Sequence, residues 1–196
     1  MVELEKKVIL YDYEYSFLKK SLKYARTFTY QVNYYYDTNE YELDQKGITC
    51  RIRYKDGKYT PTIKEHGNDW NELSVENKYR ETDYFDGTPF DGLGLFFQGF
   101  LITERTTFYP EKGVEICLDK NKYLGRTDYE LEIEYEPEKK KKAEKAVDHI
   151  ASLLFRRGYI PDKAVLSKRK ASSKSARFFE RKRYVKSKDN YEKAYE

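Results

Sequence analysis

The sequence predicts an α+β protein in which an eight-stranded, closed antiparallel β-barrel is flanked by helices. Apolar and polar residues alternate in eight separate stretches, which is typical of strands that bury one face. The stretches follow one another closely, with an Asp-Gly turn at residues 56–57, and short connections favour antiparallel neighbours. Two amphipathic helical stretches could cover the outer face of this sheet. Eight strands suffice to close a barrel that holds a small ligand.

Each predicted strand places alternate side chains on opposite faces. The opening stretch VELEKKVIL puts Glu3, Glu5 and Lys7 on the face opposite Leu4 and Val8. The other seven strands centre on residues 28–36, 48–54, 58–64, 72–76, 100–108, 114–119 and 129–135.

Helices are predicted where apolar residues recur every three or four positions. This spacing holds over residues 11–25 and 143–154, and a third helix is expected around residues 172–183. No linker divides the chain, so residues 1–183 are predicted to form a single domain. Residues 184–196 are polar and are expected to form a frayed tail.

The composition excludes several classes of protein. Charged residues make up 37% of the 196 residues, but 38 Lys and Arg nearly balance 34 Asp and Glu, so no nucleic-acid partner is expected. No apolar run approaches the roughly 18 residues of a membrane span. Cys50 and Cys117 lie in strand-like stretches and are interpreted as reduced packing residues of a cytoplasmic protein. The common nucleotide-binding, hydrolase and zinc motifs are absent from the sequence.

The charges on the strands are sorted by sign. Acidic residues concentrate on the first, seventh and eighth strands, and basic residues on the third, fourth and sixth. One face of an antiparallel sheet is often simply solvated, and alternation alone allows that interpretation. A solvated face would more naturally mix the signs, so a barrel interior with an acidic and a basic wall is favoured. Carboxylates bind hard cations such as Mg²⁺ and Mn²⁺, and Arg and Lys bind phosphate oxygens.

Several motifs also occur in the order typical of a known family. They are ExExK in VELEKK, then QVNYYYDT, RxR in KGITCRIRY, YTPTIKE, LITERTTFY, ICLDKNKYLG, ExE in DYELEIEYE, and the basic segment SKSARFFE. Together they resemble the CYTH superfamily, the triphosphate tunnel metalloenzymes, and within it the stand-alone bacterial branch. The resemblance implies a tunnel and hydrolysis of triphosphate-containing substrates with Mg²⁺ or Mn²⁺.

The resemblance also implies roles for individual residues. The metal ligands would be Glu3, Glu5, Asp119, Glu130 and Glu132. The triphosphate would be bound by Lys7, Arg51, Arg53, Lys64, Arg105 and Lys174. The residues most directly involved in catalysis would be Glu3, Glu5, Lys7 and Glu132.

Some questions stay open at this level. Lys168 and Lys170 compete with Lys174 for the C-terminal position, and the roles of Glu76 and Glu134 are unassigned. The expected substrate is inorganic tripolyphosphate or a nucleoside triphosphate. The alternatives are a non-catalytic polyphosphate- or nucleotide-binding module, or the adenylyl cyclase or thiamine triphosphatase activity of the same superfamily. A monomer and a homodimer are both compatible with the sequence.

Overall fold

The computed structural model describes residues 2–66, 74–169 and 171–193. Its strands are β1 Val2–Leu10, β2 Ala25–Asp37, β3 Ile48–Lys55, β4 Lys58–His66, β5 Ser74–Lys78, β6 Phe96–Glu111, β7 Val114–Tyr123 and β8 Arg126–Tyr135. Its α-helices are α1 Asp12–Ser21, α2 Glu42–Gln45, α3 Lys140–Arg156, α4 Ala164–Lys168 and α5 Lys174–Lys193. Short 3₁₀ turns at Thr88–Phe90 and Pro137–Lys139 complete the described elements. No helix in these ranges is both long and apolar enough to cross a membrane.

The eight strands form one curled antiparallel sheet with flanking helices, as predicted. Their order is β1-β5-β4-β3-β2-β6-β7-β8, and it closes on itself because β1 pairs at both of its edges. β1 pairs with β8 from Leu4 to Leu10, but its described pairing with β5 consists of only two residue pairs. The predicted turn at residues 56–57 is present, with φ of 51° at Asp56 and 79° at Gly57, as a two-residue hairpin turn of this kind requires.

This strand order places strands of like charge next to one another, so the barrel interior has an acidic wall and a basic wall. The acidic strands β7, β8 and β1 are consecutive neighbours, and the basic strands β4 and β3 are consecutive as well. β6, which carries Arg105, lies directly beside β7. The interior therefore has an acidic side, and its cations lie opposite and at its border.

The main apolar core lies between the acidic strands and two helices. Outward side chains of β1, β7 and β8, such as Val8, Leu118 and Ile133, pack against Leu18 of α1 and Ile150 of α3. These residues are all at least nine-tenths buried, so the helices hold the outer side of the strands that carry the carboxylates.

A second apolar cluster lies at one end of the barrel interior. Phe178 and Phe179 of α5 pack against Tyr35, Leu101 and Tyr123 and are almost completely buried. Tyr35 and Leu101 have the strand parity of the inward residues, so α5 enters the barrel end and does not coat its outside.

The structure differs from the sequence-based prediction at two places. α1 ends at Ser21 because Leu22 is extended (ψ 119°), and Ala25 begins β2. α5 continues to Lys193, so the expected frayed tail is helical that far; Arg181 and Lys188 lie over the Tyr184 ring at 5.0 and 5.2 Å. Residues 71–73, the predicted start of the fifth strand, lie outside the described residues. The division into one domain and a tail stays a prediction.

Gly99 in β6 allows α5 to approach the sheet closely. Its φ is +134°, and a Cβ built there would lie 2.9 Å from Cζ of Phe178. We expect Gly99→Ala to lower the free energy of unfolding by about 2–4 kcal/mol, because backbone strain and a steric clash add together. Urea unfolding measures this change.

Gly125→Ala is the matched control, since Gly125 also has positive φ (+70°) but a Cβ added there would meet nothing within 4 Å. It should show the backbone strain alone, about 1 kcal/mol. Equal losses in the two variants would contradict a clash with Phe178.

Candidate active site

The acidic wall converges on one carboxylate cluster. β7 and β8 are in register so that Asp119 lies opposite Glu130, and Glu132 follows on the same face of β8. Side-chain oxygens of these three residues lie within 4.8 Å of one another, and all three residues are buried. Glu5 of β1 forms a second group with Glu132 and Glu134, whose side-chain oxygens also lie within 4.8 Å of one another.

Lys174 of α5 extends into the carboxylate cluster. Its Nζ lies 2.9 Å from Asp119, 2.7 Å from Glu130 and 2.6 Å from Glu132. Burial alone would lower the pKa of Lys174, but the three carboxylates raise it well above its usual value. The ammonium group is therefore held charged among the acidic side chains.

Arg105 binds the same cluster from β6. Its guanidinium donates two hydrogen bonds to Asp119, at 2.8 and 2.7 Å, and others to Glu132 and to Glu134. Burial alone would raise the pKa of Glu132, but Arg105, Lys174 and Lys7 hold it well below its usual range. Glu134 behaves differently, because burial outweighs Arg105, and repulsion by Glu132 adds to it, so its pKa is raised.

The opposite wall carries two arginines of β3 with different partners. Arg51 of β3 lies 2.6 Å from Glu76 of β5 and also donates to Thr62. Arg53 is different, because its described hydrogen bond runs to a neutral group, Oδ1 of Asn33, at 3.0 Å. Burial lowers the pKa of Arg53 to about 10, and the positive charge of Arg51 adds to that effect.

Two lysines connect the walls through Glu5. Lys7 Nζ lies 2.6 Å and Lys64 Nζ 3.7 Å from Oε1 of that carboxylate. Burial would lower the pKa of Lys7, but Glu132 and Glu5 raise it on balance.

The two walls enclose a cavity of about 210 Å³. Its described lining is entirely polar or charged and includes no aromatic side chain: Glu5, Lys7, Gln31, Thr49, Arg51, Arg53, Lys55, Lys64, Lys78, Arg105, Glu132, Glu134, Ser173, Lys174 and Ser175. Carboxylates and cations thus face one another across a small space, an arrangement suited to an anion accompanied by metal ions.

The structure brings most of the predicted site residues to this space. Glu5, Lys7, Arg51, Arg53, Lys64, Arg105, Glu132 and Lys174 line the cavity, while Asp119 and Glu130 lie behind Lys174. Glu3 lies in β1, but its side chain is outside the described part of the chain. Among the competing lysines, Lys168 is exposed on α4 and Lys170 is not among the described residues.

Two functional features escaped the sequence analysis. Arg177 is buried and bridges Asp128, at 3.0 Å, and Glu130, at 2.9 Å. Its position three residues after Lys174 on one helix face was a usable signal. The pairing of Arg105 and Lys174 with the acidic cluster had no signal in the sequence, because it depends on neighbouring strands and on where α5 enters.

An eight-stranded antiparallel barrel with carboxylates on one inner wall and cations on the other defines a class of tunnel-shaped proteins with two oppositely charged walls. The model of the CYTH domain family matches residues 1–158. The chain therefore belongs to the CYTH domain family.

Known relatives agree with this assignment. The Bacillus subtilis (strain 168) protein named "Putative triphosphatase YjbK" is 32% identical over 148 residues, which cover 68% of this chain and 77% of YjbK. Among solved structures, the "putative adenylate cyclase" BH2851 of Bacillus halodurans superposes with a TM-score of 0.62 at 24% identity, covering 90% of this chain and 97% of that one.

A Hippeastrum protein, HpAC1, superposes with a TM-score of 0.58 at 19% identity, covering 81% of this chain and 96% of that one. Its structure is described as that of a "putative adenylyl cyclase" with a dominant triphosphatase activity. At these identities, the similarity of both structures to this chain establishes the fold alone.

The Arg51–Glu76 pair leads to a pH prediction. Burial would raise the pKa of Glu76, but Arg51 and Arg53 lower it from 4.5 to about 2. The ionised carboxylate therefore stabilises the fold above about pH 4.5, and this contribution is lost as the pH falls towards 2. We expect Glu76→Gln to lower the free energy of unfolding by about 3–5 kcal/mol at neutral pH, with a smaller loss at about pH 3.

Urea unfolding of both proteins across this pH range is the measurement. Glu104→Gln is the control, because Glu104 forms a partly exposed pair with Lys122 that should contribute at most about 1 kcal/mol. A loss in Glu76→Gln that does not change with pH would contradict this role of the carboxylate.

Proposed function

We propose that this protein is a hydrolase of triphosphate-containing substrates that depends on Mg²⁺ or Mn²⁺, with inorganic tripolyphosphate as the favoured substrate. The single observation that carries the proposal is the cavity between the Glu5–Glu132–Glu134 carboxylates and the cations Arg51, Arg53 and Lys64. A simple anion-binding site would require only the cations. The relative named as a triphosphatase supports the same reaction class.

The basic wall would bind the phosphate chain. Arg53 has the most to gain from a bound anion, because it is half-buried and its described hydrogen bond runs to an amide oxygen. Arg51 and Lys64 flank it on β3 and β4, and Lys7 lies across the cavity on β1. Arginine donates paired hydrogen bonds to phosphate oxygens, so Arg51 and Arg53 would fix the orientation of the chain.

The carboxylates present fit a hard divalent cation. Oxygen atoms of Glu5, Glu132 and Glu134 lie within 4.8 Å of one another, and oxygen ligands suit Mg²⁺ and Mn²⁺. The raised pKa of Glu134 reflects burial and an excess of negative charge that a cation would relieve. Glu3, Asp119 and Glu130 are further ligands by family resemblance. When bound, the metal would polarise phosphate oxygens and lower the pKa of a coordinated water.

The remaining residues would position the reactants and limit the entry of water. Lys174 and Arg105 hold the carboxylates in place through the contacts described above. Phe178 and Phe179 close one end of the barrel, so bulk water is kept from that side. The proposed catalysis is mainly positioning and charge stabilisation by groups fixed before the substrate arrives.

The lining of the cavity favours an inorganic substrate over an organic triphosphate. None of its described side chains is aromatic, so these residues offer no stacking surface for a nucleobase or a thiamine ring. Adenylyl cyclase and thiamine triphosphatase activities are therefore less well supported, and nucleoside triphosphates rank second. The non-catalytic binding module is disfavoured by the carboxylate clusters, which a pure polyanion-binding site would not need.

The proposal predicts phosphate release from tripolyphosphate with Mg²⁺ or Mn²⁺ and none with EDTA. We expect Glu5→Gln and Glu132→Gln each to reduce kcat by at least about a hundredfold, because each removes charge from the proposed metal site. Each variant should also lose the shift in thermal unfolding midpoint that Mn²⁺ gives the wild type.

Glu104→Gln is the matched control, since Glu104 pairs with Lys122 and lies outside the cavity lining. It should keep wild-type turnover and the Mn²⁺ shift. Tight binding of tripolyphosphate without phosphate release would instead support the binding module. Wild-type turnover in both glutamine variants at saturating metal would show that the site is wrongly assigned.

Asn33 gives a sharper test of the basic wall. Asn33→Asp should place a carboxylate against Arg53 and so reduce its attraction for phosphate. We expect KM for tripolyphosphate to rise about tenfold, equivalent to about 1.4 kcal/mol, with a smaller change in kcat. Asn33→Ser, which removes the amide without adding charge, should raise KM less. Equal KM values for both variants would exclude Arg53 as a phosphate-binding group.

A further inference from the structure

The outer surface of the barrel is covered unevenly. α1 and α3 pack against the outward faces of β1, β7 and β8. On the opposite side, Phe90 and Leu95 cover part of β2 and β3, where they pack with Tyr36 and Ile52. The outward strip of β2 and β6 beyond this cluster carries aromatic side chains that stay exposed to solvent.

We call this strip the aromatic face. It comprises Phe28, Tyr30, Tyr34, Phe85, Phe97 and Phe100. The Tyr34 ring lies at its centre, with ring-centroid distances of 5.0 Å to Phe85, 6.5 Å to Phe97 and 6.3 Å to Phe100. Five of the six residues are between 45% and 62% exposed, and Tyr34 is half-buried. The rings of Tyr34, Phe85, Phe97 and Phe100 therefore form one cluster, and Phe28 and Tyr30 extend the strip along the same side of β2.

Charge is absent from the β2 part of this surface. The five outward positions from 28 to 36 are Phe, Tyr, Val, Tyr and Tyr, in a chain of which 37% is charged. Charged side chains lie at its border. Lys19 Nζ lies 5.9 Å from the centroid of the Phe28 ring, and Glu104, opposite Tyr30, forms an ion pair of 2.6 Å with Lys122. An aromatic centre with a polar border is the anatomy of a protein–protein interface.

The area suits a dimer of moderate size. The five aromatic residues that are about half exposed present roughly 500 Å², which is towards the upper end for an apolar patch on a monomeric protein. With the bordering polar atoms the surface approaches the roughly 800 Å² per partner of a standard interface.

We propose that the aromatic face binds a second copy of this chain, related by a two-fold axis. In such an interface the same patch occurs on both sides, so a charged centre would bring like charges together. The uncharged stripe avoids this repulsion, whereas an acidic or basic partner would find no complementary charge in it. Face-to-face packing of two such strips also allows the offset and edge-on ring contacts that aromatic side chains favour.

The test measures the mass of the purified full-length protein by light scattering and sedimentation equilibrium from about 1 to 100 µM, where micromolar dimers dissociate. We expect a dimer for the wild type and monomers for Phe100→Glu and Phe97→Glu, with unchanged circular dichroism spectra. Phe155→Glu is the matched control, because Phe155 is 47% exposed but lies on α3. It should stay dimeric.

A second measurement detects the dimer directly in a variant whose aromatic face is intact. Cys50 and Cys117 are buried, so a thiol-reactive spin label would react selectively with a cysteine introduced at the border of the aromatic face by Lys122→Cys. We expect a defined distance between labels in pulsed EPR, which Phe100→Glu abolishes. A wild-type monomer at 100 µM, dimers in both glutamate variants, or loss of the dimer in Phe155→Glu would each overturn the proposal. Binding of the monomer to lipid vesicles or to another protein would likewise exclude a second copy as the occupant.

Discussion

The barrel interior depends on the compensation of buried charge. Asp119, Glu130 and Glu132 lie side by side in a space from which water is largely excluded, and uncompensated carboxylates there would be very costly. Lys174 and Arg105 offset that cost with contacts to these three residues. Removal of one partner from such a network leaves the others unpaired, so the network holds together as a unit.

The need to compensate the buried carboxylates explains why α5 packs into the barrel end and does not lie on its outer surface. The helix supplies Lys174 and Arg177 to the carboxylates, and Phe178 to the apolar end of the interior. Gly99 permits the close approach that places these side chains. Electrostatic compensation and apolar packing therefore act at the same place, and together they hold α5 in the barrel end.

The two faces of the sheet follow different rules. Inward positions carry charged side chains and their partners, while outward positions are mostly apolar and pack against whatever covers them. The outer side of the acidic strands is sealed by α1 and α3, which gives the carboxylates a rigid support. The outer side of β2 and β6 has no comparable cover in the described part of the chain, and its exposed rings are the surface to which we assign a second copy.

Much of this architecture was readable from the sequence. Alternation of period two predicted all eight strands, because side chains on a strand point to opposite faces whatever the tertiary context. The sorting of charges by strand predicted two walls, and family resemblance then predicted roles for individual residues such as Glu5, Arg53 and Glu132, all of which line the cavity. The extent of α5 was missed because a polar, basic segment carries little amphipathic signal, although its Lys and Arg residues favour a helix.

Only the tertiary structure decided which charges neutralise one another. By sequence, Arg105 and Lys174 are cations like Arg53, yet the first two lie among carboxylates and Arg53 lies against an amide oxygen. The sequence specifies the face on which a residue lies, since that depends on local geometry. Its partner depends on strand order, register and the path of a distant helix, because ion pairing acts over a few ångströms between residues far apart in the chain.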